Sequence, residues 1–135
     1  MVTATIGREH YKTQMFVAGH KLIADEPTDL DGTNLGPTPG HFIHMALASC
    51  TAITLRMYAD RKQWPVEKIR VEVDSERIEN KTIMKCDIYI EGALDEQQKQ
   101  RLQHIANAYP VHKTLTQPIE ITTVISYGQK SIQFP

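Results

Sequence analysis

Three observations predict an α+β fold built on a mainly antiparallel sheet. The stretch 36–65 (GPTPGHFIHMALASCTAITLRMYADRKQWP) contains one long helix, while apolar and polar residues alternate with period two in 11–17, 69–74 and 82–91. The segments run in the order strands, long helix, two strands, helix, strand, which is an α+β arrangement. Residues 1–135 hold no repeat, low-complexity tract or second domain, so a single domain is expected.

In chain order, residues 2–6 and 11–17 are predicted strands, with Tyr11, Thr13, Met15 and Val17 alternating against Lys12 and Gln14. Gly7 and Gly19 punctuate them, and HKLIA (20–24) continues as a third short strand. Residues 25–39 (DEPTDLDGTNLGPTP) are a loop rich in proline, glycine and turn-forming polar residues. Its four carboxylates match no calcium-loop spacing, so no metal site is expected there.

The central helix opens at Thr38, a candidate N-cap, with Pro39 at the first helical position, where the missing N–H costs nothing. It closes at Trp64-Pro65, because proline disfavours helical geometry in the residue before it. Between Phe42 and Tyr58 its apolar residues leave no broad polar face. Such a helix is buried on most sides, and a six-stranded sheet covers it only once, so homodimerisation is expected to cover the rest.

Ile69, Val71 and Val73 mark a half-exposed strand, Glu79-Asn80 a turn, and residues 82–91 its return. There Met84, Cys86, Ile88 and Ile90 share one face, so Cys86 is expected to point at the core. Asp95 caps a second helix with Leu102, Ile105 and Ala106 on its inner side, and Tyr109-Pro110 stops it. Residues 112–117 read as a turn and 118–126 (PIEITTVIS) as a final strand.

Composition excludes several function classes. A net charge of −1 and a pI near 6.6 give no electrostatic reason to expect nucleic acid or an anionic membrane as partner. The start, MVTATIGREHYK, lacks the basic and apolar regions of a secretory signal, and two cysteines suit a reducing compartment. A cytoplasmic, membrane-free protein is expected.

Cys50 is the residue on which chemistry turns. It sits mid-helix among Ile43, Ala46, Leu47, Ile53, Thr54 and Met57, beside small residues that let a ligand approach the sulfur. On the residues alone it is either a packed hydrophobe or a reactive thiol, and reactivity near neutral pH needs a cation beside it. His41 and His44 share a helical face, but nine residues place Cys50 about 180° from His41 on a straight helix, which argues against joint metal ligation. No metal and no cofactor are expected.

The stretches GPTPGHFIHMALASCTAITLRMYADRKQWPVEKIRVEV and YPVHKTLTQPIEI resemble the OsmC/Ohr family, the osmotically induced and organic-hydroperoxide-resistance proteins. HKLIADEP (20–27) is similar to the HxLxADEP segment of an OsmC-like branch. The resemblance covers almost the whole chain. It implies an OsmC-like fold, a sheet wrapped around a long buried helix, in an intertwined homodimer.

It also implies thiol-based reduction of organic hydroperoxides, with Cys50 as the peroxidatic cysteine and Arg8, the only arginine before it, as the assisting cation. Three positions depart from the family. Gly40-His41 stands where a glutamate is usual, Tyr109 stands where a resolving cysteine would precede a proline, and Arg8 is matched by position only. His41 then takes the glutamate's place, while Ile43, Leu47 and Met57 wall an apolar substrate pocket with Tyr109 as a further lining residue. Resolution falls to an external thiol reductant, with Cys86 as a second possibility, open only if its Cα lies within about 7 Å of that of Cys50. The alternative is an OsmC-like protein that binds a small acyl or aromatic ligand without peroxidase turnover.

Overall fold

The computed structural model of the chain describes residues 1–128. Two compact units form, one from Met1–Phe42 with residues 121–128, the other from Ile43–Glu120.

The first unit is an antiparallel meander of β1 (Thr3–Thr5), β2 (Thr13–Val17) and β3 (His20–Ala24) in the order β1-β2-β3. Val17 pairs with His20 around the two-residue turn Ala18-Gly19. Both turn residues have positive φ, 49° and 80°, the geometry that matches the twist of a tight hairpin.

The loop after β3 folds around one carboxylate. Asp25, 2% exposed, accepts N–H donations from Glu26 (2.7 Å), Tyr11 (3.1 Å), Leu35 (3.1 Å) and Thr33 (3.3 Å), and the Thr33 hydroxyl as well. Its own N–H donates to the Pro37 carbonyl at 3.0 Å. Gly36 runs so close under β3 that a Cβ there would lie 2.1 Å from the Ile23 carbonyl oxygen. Four carboxylates in fifteen residues thus mark a loop that uses one of them as its own internal acceptor.

Helix α1 (Pro39–Lys62) follows directly. The Thr38 hydroxyl accepts from the His41 N–H at 3.3 Å, and His41 Nδ1 accepts from the Thr38 N–H at 3.3 Å. This is a reciprocal capping box with histidine in the place usually held by glutamate or glutamine. At the other end Gln63 turns to φ 56°, Trp64 N–H donates to the Ala59 carbonyl at 2.9 Å and Gln63 N–H to Asp60 at 3.1 Å. These two bonds satisfy carbonyls that the helix end would otherwise leave bare.

In the second unit β4 (Val66–Ile78) and β5 (Lys81–Gly92) form a long antiparallel ribbon turning at Glu79-Asn80. Ile69, Val71, Val73 and Ser75 stand opposite Ile90, Ile88, Cys86 and Met84 in register, so all eight share one face. A two-stranded ribbon is marginal alone and needs helices against it. Helix α2 (Glu96–Ala106) supplies one, opened by a capping box in which Asp95 accepts from Gln98 N–H at 2.8 Å and Gln98 Oε1 from Asp95 N–H at 2.9 Å. Helix α3 (Pro110–Thr116) follows.

The core is Leu55, Tyr58, Ala59, Val66, Leu102, Ile105 and Ala106, with Trp64, Ile69, Ile88, Ile90, Leu94 and Tyr109 packed against it. Leu55 at 1% exposure contributes about 1.5–3 kcal/mol by the area it removes from water. Arg56 Nη2 donates to the Val66 carbonyl at 2.7 Å, tying the helix to the irregular start of β4. By length and composition α1 would suffice to cross a membrane, yet its inner face carries this core.

Several expectations are corrected. Residues 118–126 form no strand, because a strand needs a neighbour to pair with and this stretch has none among the described residues; Ile119, Ile121, Val124 and Ile125 are exposed. Residues 112–117 fall mostly in α3 instead of a turn, since Pro110 sits at a helix's first position and starts a helix as readily as it stops one. Among the described residues the strands form one three-stranded and one two-stranded ladder in place of the expected six-stranded sheet. Cys86 shares the face expected of it but is exposed and outside the core.

Hydrogen bonds from the Thr33 hydroxyl and from the Leu35, Glu26 and Tyr11 amides outweigh the opposing effect of burial and hold the Asp25 carboxyl well below the usual carboxylate range. A depressed folded value means stability that is full above the unfolded value of about 3.9 and lost as the pH falls below it. Urea unfolding of wild type is expected to weaken from about pH 5 downward. Asp25→Asn is expected to be less stable at pH 7 and to show a flatter acid limb.

Candidate active site

Cys50 lies midway along α1, and residues at helical spacings of three, four and seven share its side. Ile43, Ala46, Cys50, Ile53 and Met57 form one stripe, with Ile43, Ile53 and Met57 exposed at 50, 54 and 61% and Cys50 half-buried. Ala46 and Ser49 keep the approach open, and the Ser49 hydroxyl is turned back onto the Met45 carbonyl at 2.7 Å. Leu47 and Thr54, also three and four residues from Cys50, are buried with Thr51, Leu55, Tyr58 and Ala59, so Cys50 stands at the edge between the open stripe and the buried side. A single thiol is therefore set along an apolar strip that is largely exposed.

The remaining candidates divide between places. Ile43 and Met57 lie on the Cys50 stripe, whereas Leu47 faces inward and lines a cavity. His41 belongs to the helix cap. Arg8 is exposed in the bend after β1, in the first unit, while Cys50 belongs to the second. Tyr109 is the residue before α3 and packs on the core, as a helix-end cover would. His44, one turn before Ala48, contacts the Ser75 hydroxyl of β4 through Nε2 at 2.8 Å, so it ties the helix to the ribbon.

Cys86 lines the cavity with Leu47, beside Thr51, whose hydroxyl donates to the Leu47 carbonyl at 2.8 Å. Partial burial pushes the Cys86 thiol up, the Thr51 contact opposes this, and the Asp87 charge adds to it. At neutral pH Cys86 is accordingly a protonated thiol and a poor nucleophile. The two cysteines meet α1 on different sides, Cys50 on its open stripe and Cys86 against its buried face.

Sequence reading missed Gln103, Asn107 and Thr116, which line the same cavity with His112. The available signal is spacing: Gln103 and Asn107, and again His112 and Thr116, are four residues apart and so share one helical side each. In Cys50→Ser protein, whose one thiol is Cys86, the maleimide labelling rate is expected to reach half its maximum above the ordinary thiol value of about 8.5. Stopped-flow labelling across pH checks this.

Comparison with known proteins adds the family. No curated protein matches the chain. Among solved structures, the OsmC-like protein of Mycoplasma pneumoniae matches with a TM-score of 0.72 at 18% identity, covering 85% of each chain. An organic hydroperoxide resistance protein OsmC of Legionella pneumophila matches at 0.60 and 16% identity, over 86% of this chain and 88% of that one. The organic hydroperoxide resistance protein OhrB of Bacillus subtilis matches at 0.58 and 19%, over 86% and 89%. At such identities these likenesses establish the fold. The model of the OsmC-like protein family matches residues 32–124, more than half of the sequence, and the chain belongs to that family.

Proposed function

We propose that the protein reduces organic hydroperoxides through Cys50, in a homodimer whose second copy covers the α1 stripe. The observation that carries this is the stripe itself, one thiol among Ile43, Ala46, Ile53 and Met57 on a face the described residues leave largely exposed. The names of the Legionella and Bacillus structures, organic hydroperoxide resistance proteins, support the same chemistry.

In this reading the Cys50 thiolate attacks the terminal oxygen of ROOH. The O–O bond breaks, the alkoxide takes a proton and leaves as the alcohol, and Cys50 becomes a sulfenic acid. The Arg8 guanidinium is assigned to steady the thiolate and the departing oxygen. An external thiol then condenses with the sulfenic acid, releasing water, and a second thiol frees Cys50 as a disulfide departs. Tyr109 carries no sulfur, which is why the reductant is placed outside the chain. The apolar stripe favours alkyl or aromatic hydroperoxides over hydrogen peroxide.

Tyr109 packed on the core also supports a second reading, in which the covered stripe holds a small acyl or aromatic molecule without turnover. Cumene hydroperoxide mixed with reduced protein and a dithiol separates the two. Peroxide loss is expected from wild type and is expected to vanish in Cys50→Ser; no loss and no oxidised Cys50 in wild type would leave only the binding reading.

Ile53→Glu places a charge within the stripe, and an unpaired buried charge is costly. Sedimentation velocity is expected to show wild type as a dimer and this variant as a monomer of unchanged far-UV circular dichroism.

A further inference from the structure

The cavity behind α1 is a separate site from the Cys50 stripe. It has a volume of about 350 Å³, within the range of pockets that hold small molecules, and its walls come from α1, β5, α2 and α3 of the second unit. Its lining is graded. Leu47 and Ala106 are buried and form an apolar floor, Met84, Ile88 and Leu115 are half-buried walls, and Gln103 and Asn107 are exposed at the mouth. Among the described residues no Lys, Arg, Asp or Glu side chain lines it, its titratable members are Cys86 and the half-buried His112, and Cys50 is not among its walls.

We infer that this cavity is a binding site for an uncharged amphipathic molecule, a hydrocarbon chain or ring bearing a hydroxyl or carboxamide head. The hydrocarbon part lies on Leu47, Ala106 and Leu115, where apolar area leaves water. The head lies at the mouth, where the Gln103 and Asn107 side chains each offer both a donor and an acceptor. At that mouth a hydroxyl or carboxamide is matched by Gln103 and Asn107, whereas a carboxylate meets no lysine or arginine and finds only the half-buried His112 imidazole nearby, so the uncharged head is preferred. Cys86, protonated and set in the wall, serves as a built-in reporter of occupancy and takes no part in binding chemistry.

The test uses 1-octanol, with octanoate as the charged comparison at pH 8. In Cys50→Ser protein, 1-octanol at about four times its dissociation constant is expected to slow maleimide labelling of Cys86 about fivefold. Calorimetry on the wild-type chain is expected to give one saturable site per subunit, at least tenfold weaker for octanoate and lost in Leu115→Trp, whose indole fills the cavity. Gln103→Leu with Asn107→Leu is expected to reverse the preference for a polar head, so that octane-like probes gain on octanol. Absence of saturable heat from octanol, binding that survives Leu115→Trp, or octanoate binding as tightly as octanol would each overturn the assignment. Neither assay involves peroxide, so its outcome is independent of the proposed turnover at Cys50.

Discussion

A 24-residue apolar helix has more hydrophobic circumference than a two-stranded ribbon and one helix can cover, and that constraint shapes the second unit. The inner side of α1 takes the ribbon face and α2, closing a core around Leu55 and Ala59. The outer side keeps Ile43, Ile53 and Met57 in the open. Because Cys50 and Thr51 are adjacent in sequence, about 100° of helix separates them, and each thiol of the chain is assigned to a different environment. Cys50 goes to the open stripe, and Cys86 meets the buried side through Thr51. Chemistry and packing are thereby divided by a helix rather than by a domain boundary.

Both ends of that helix are fixed by polar bonds that precede or follow it in the chain. Asp25 gathers the loop amides at Glu26, Thr33 and Leu35, and the same loop delivers Thr38 to its cap position beside Pro39. His41 closes the cap by accepting from the Thr38 N–H. At the far end Trp64 and Gln63 donate to Ala59 and Asp60, and the Trp64 ring meets Tyr58 edge-on at a centroid distance of 5.5 Å.

Much of this was legible in the sequence because the signals were local. Thr38-Pro39, Trp64-Pro65 and Asp95 each announce a helix end within four residues, and the alternation from Ile69 to Val73 declares which face packs. The misreadings arise where a segment's fate depends on distant partners. PIEITTVIS has strand composition, but only an adjacent strand would make it one. Cys86 lies on the expected face, yet the ribbon extends past the core at that height, and a cavity takes the place of packing. Pro110 carries an ambiguous signal, since a missing N–H suits both the residue after one helix and the first residue of the next. Asp25 was hidden among neighbouring carboxylates, because the donors that single it out come from Tyr11 and from ten residues downstream.

The division of the two thiols is tested most directly by trapping sulfenic acid. Wild-type protein given less than one equivalent of cumene hydroperoxide in the presence of dimedone, then digested and mapped by mass spectrometry, should carry the adduct on the peptide containing Cys50 and none on that containing Cys86. An adduct confined to Cys86, or equal adducts on both, would contradict the assignment of reactivity to the open side of α1.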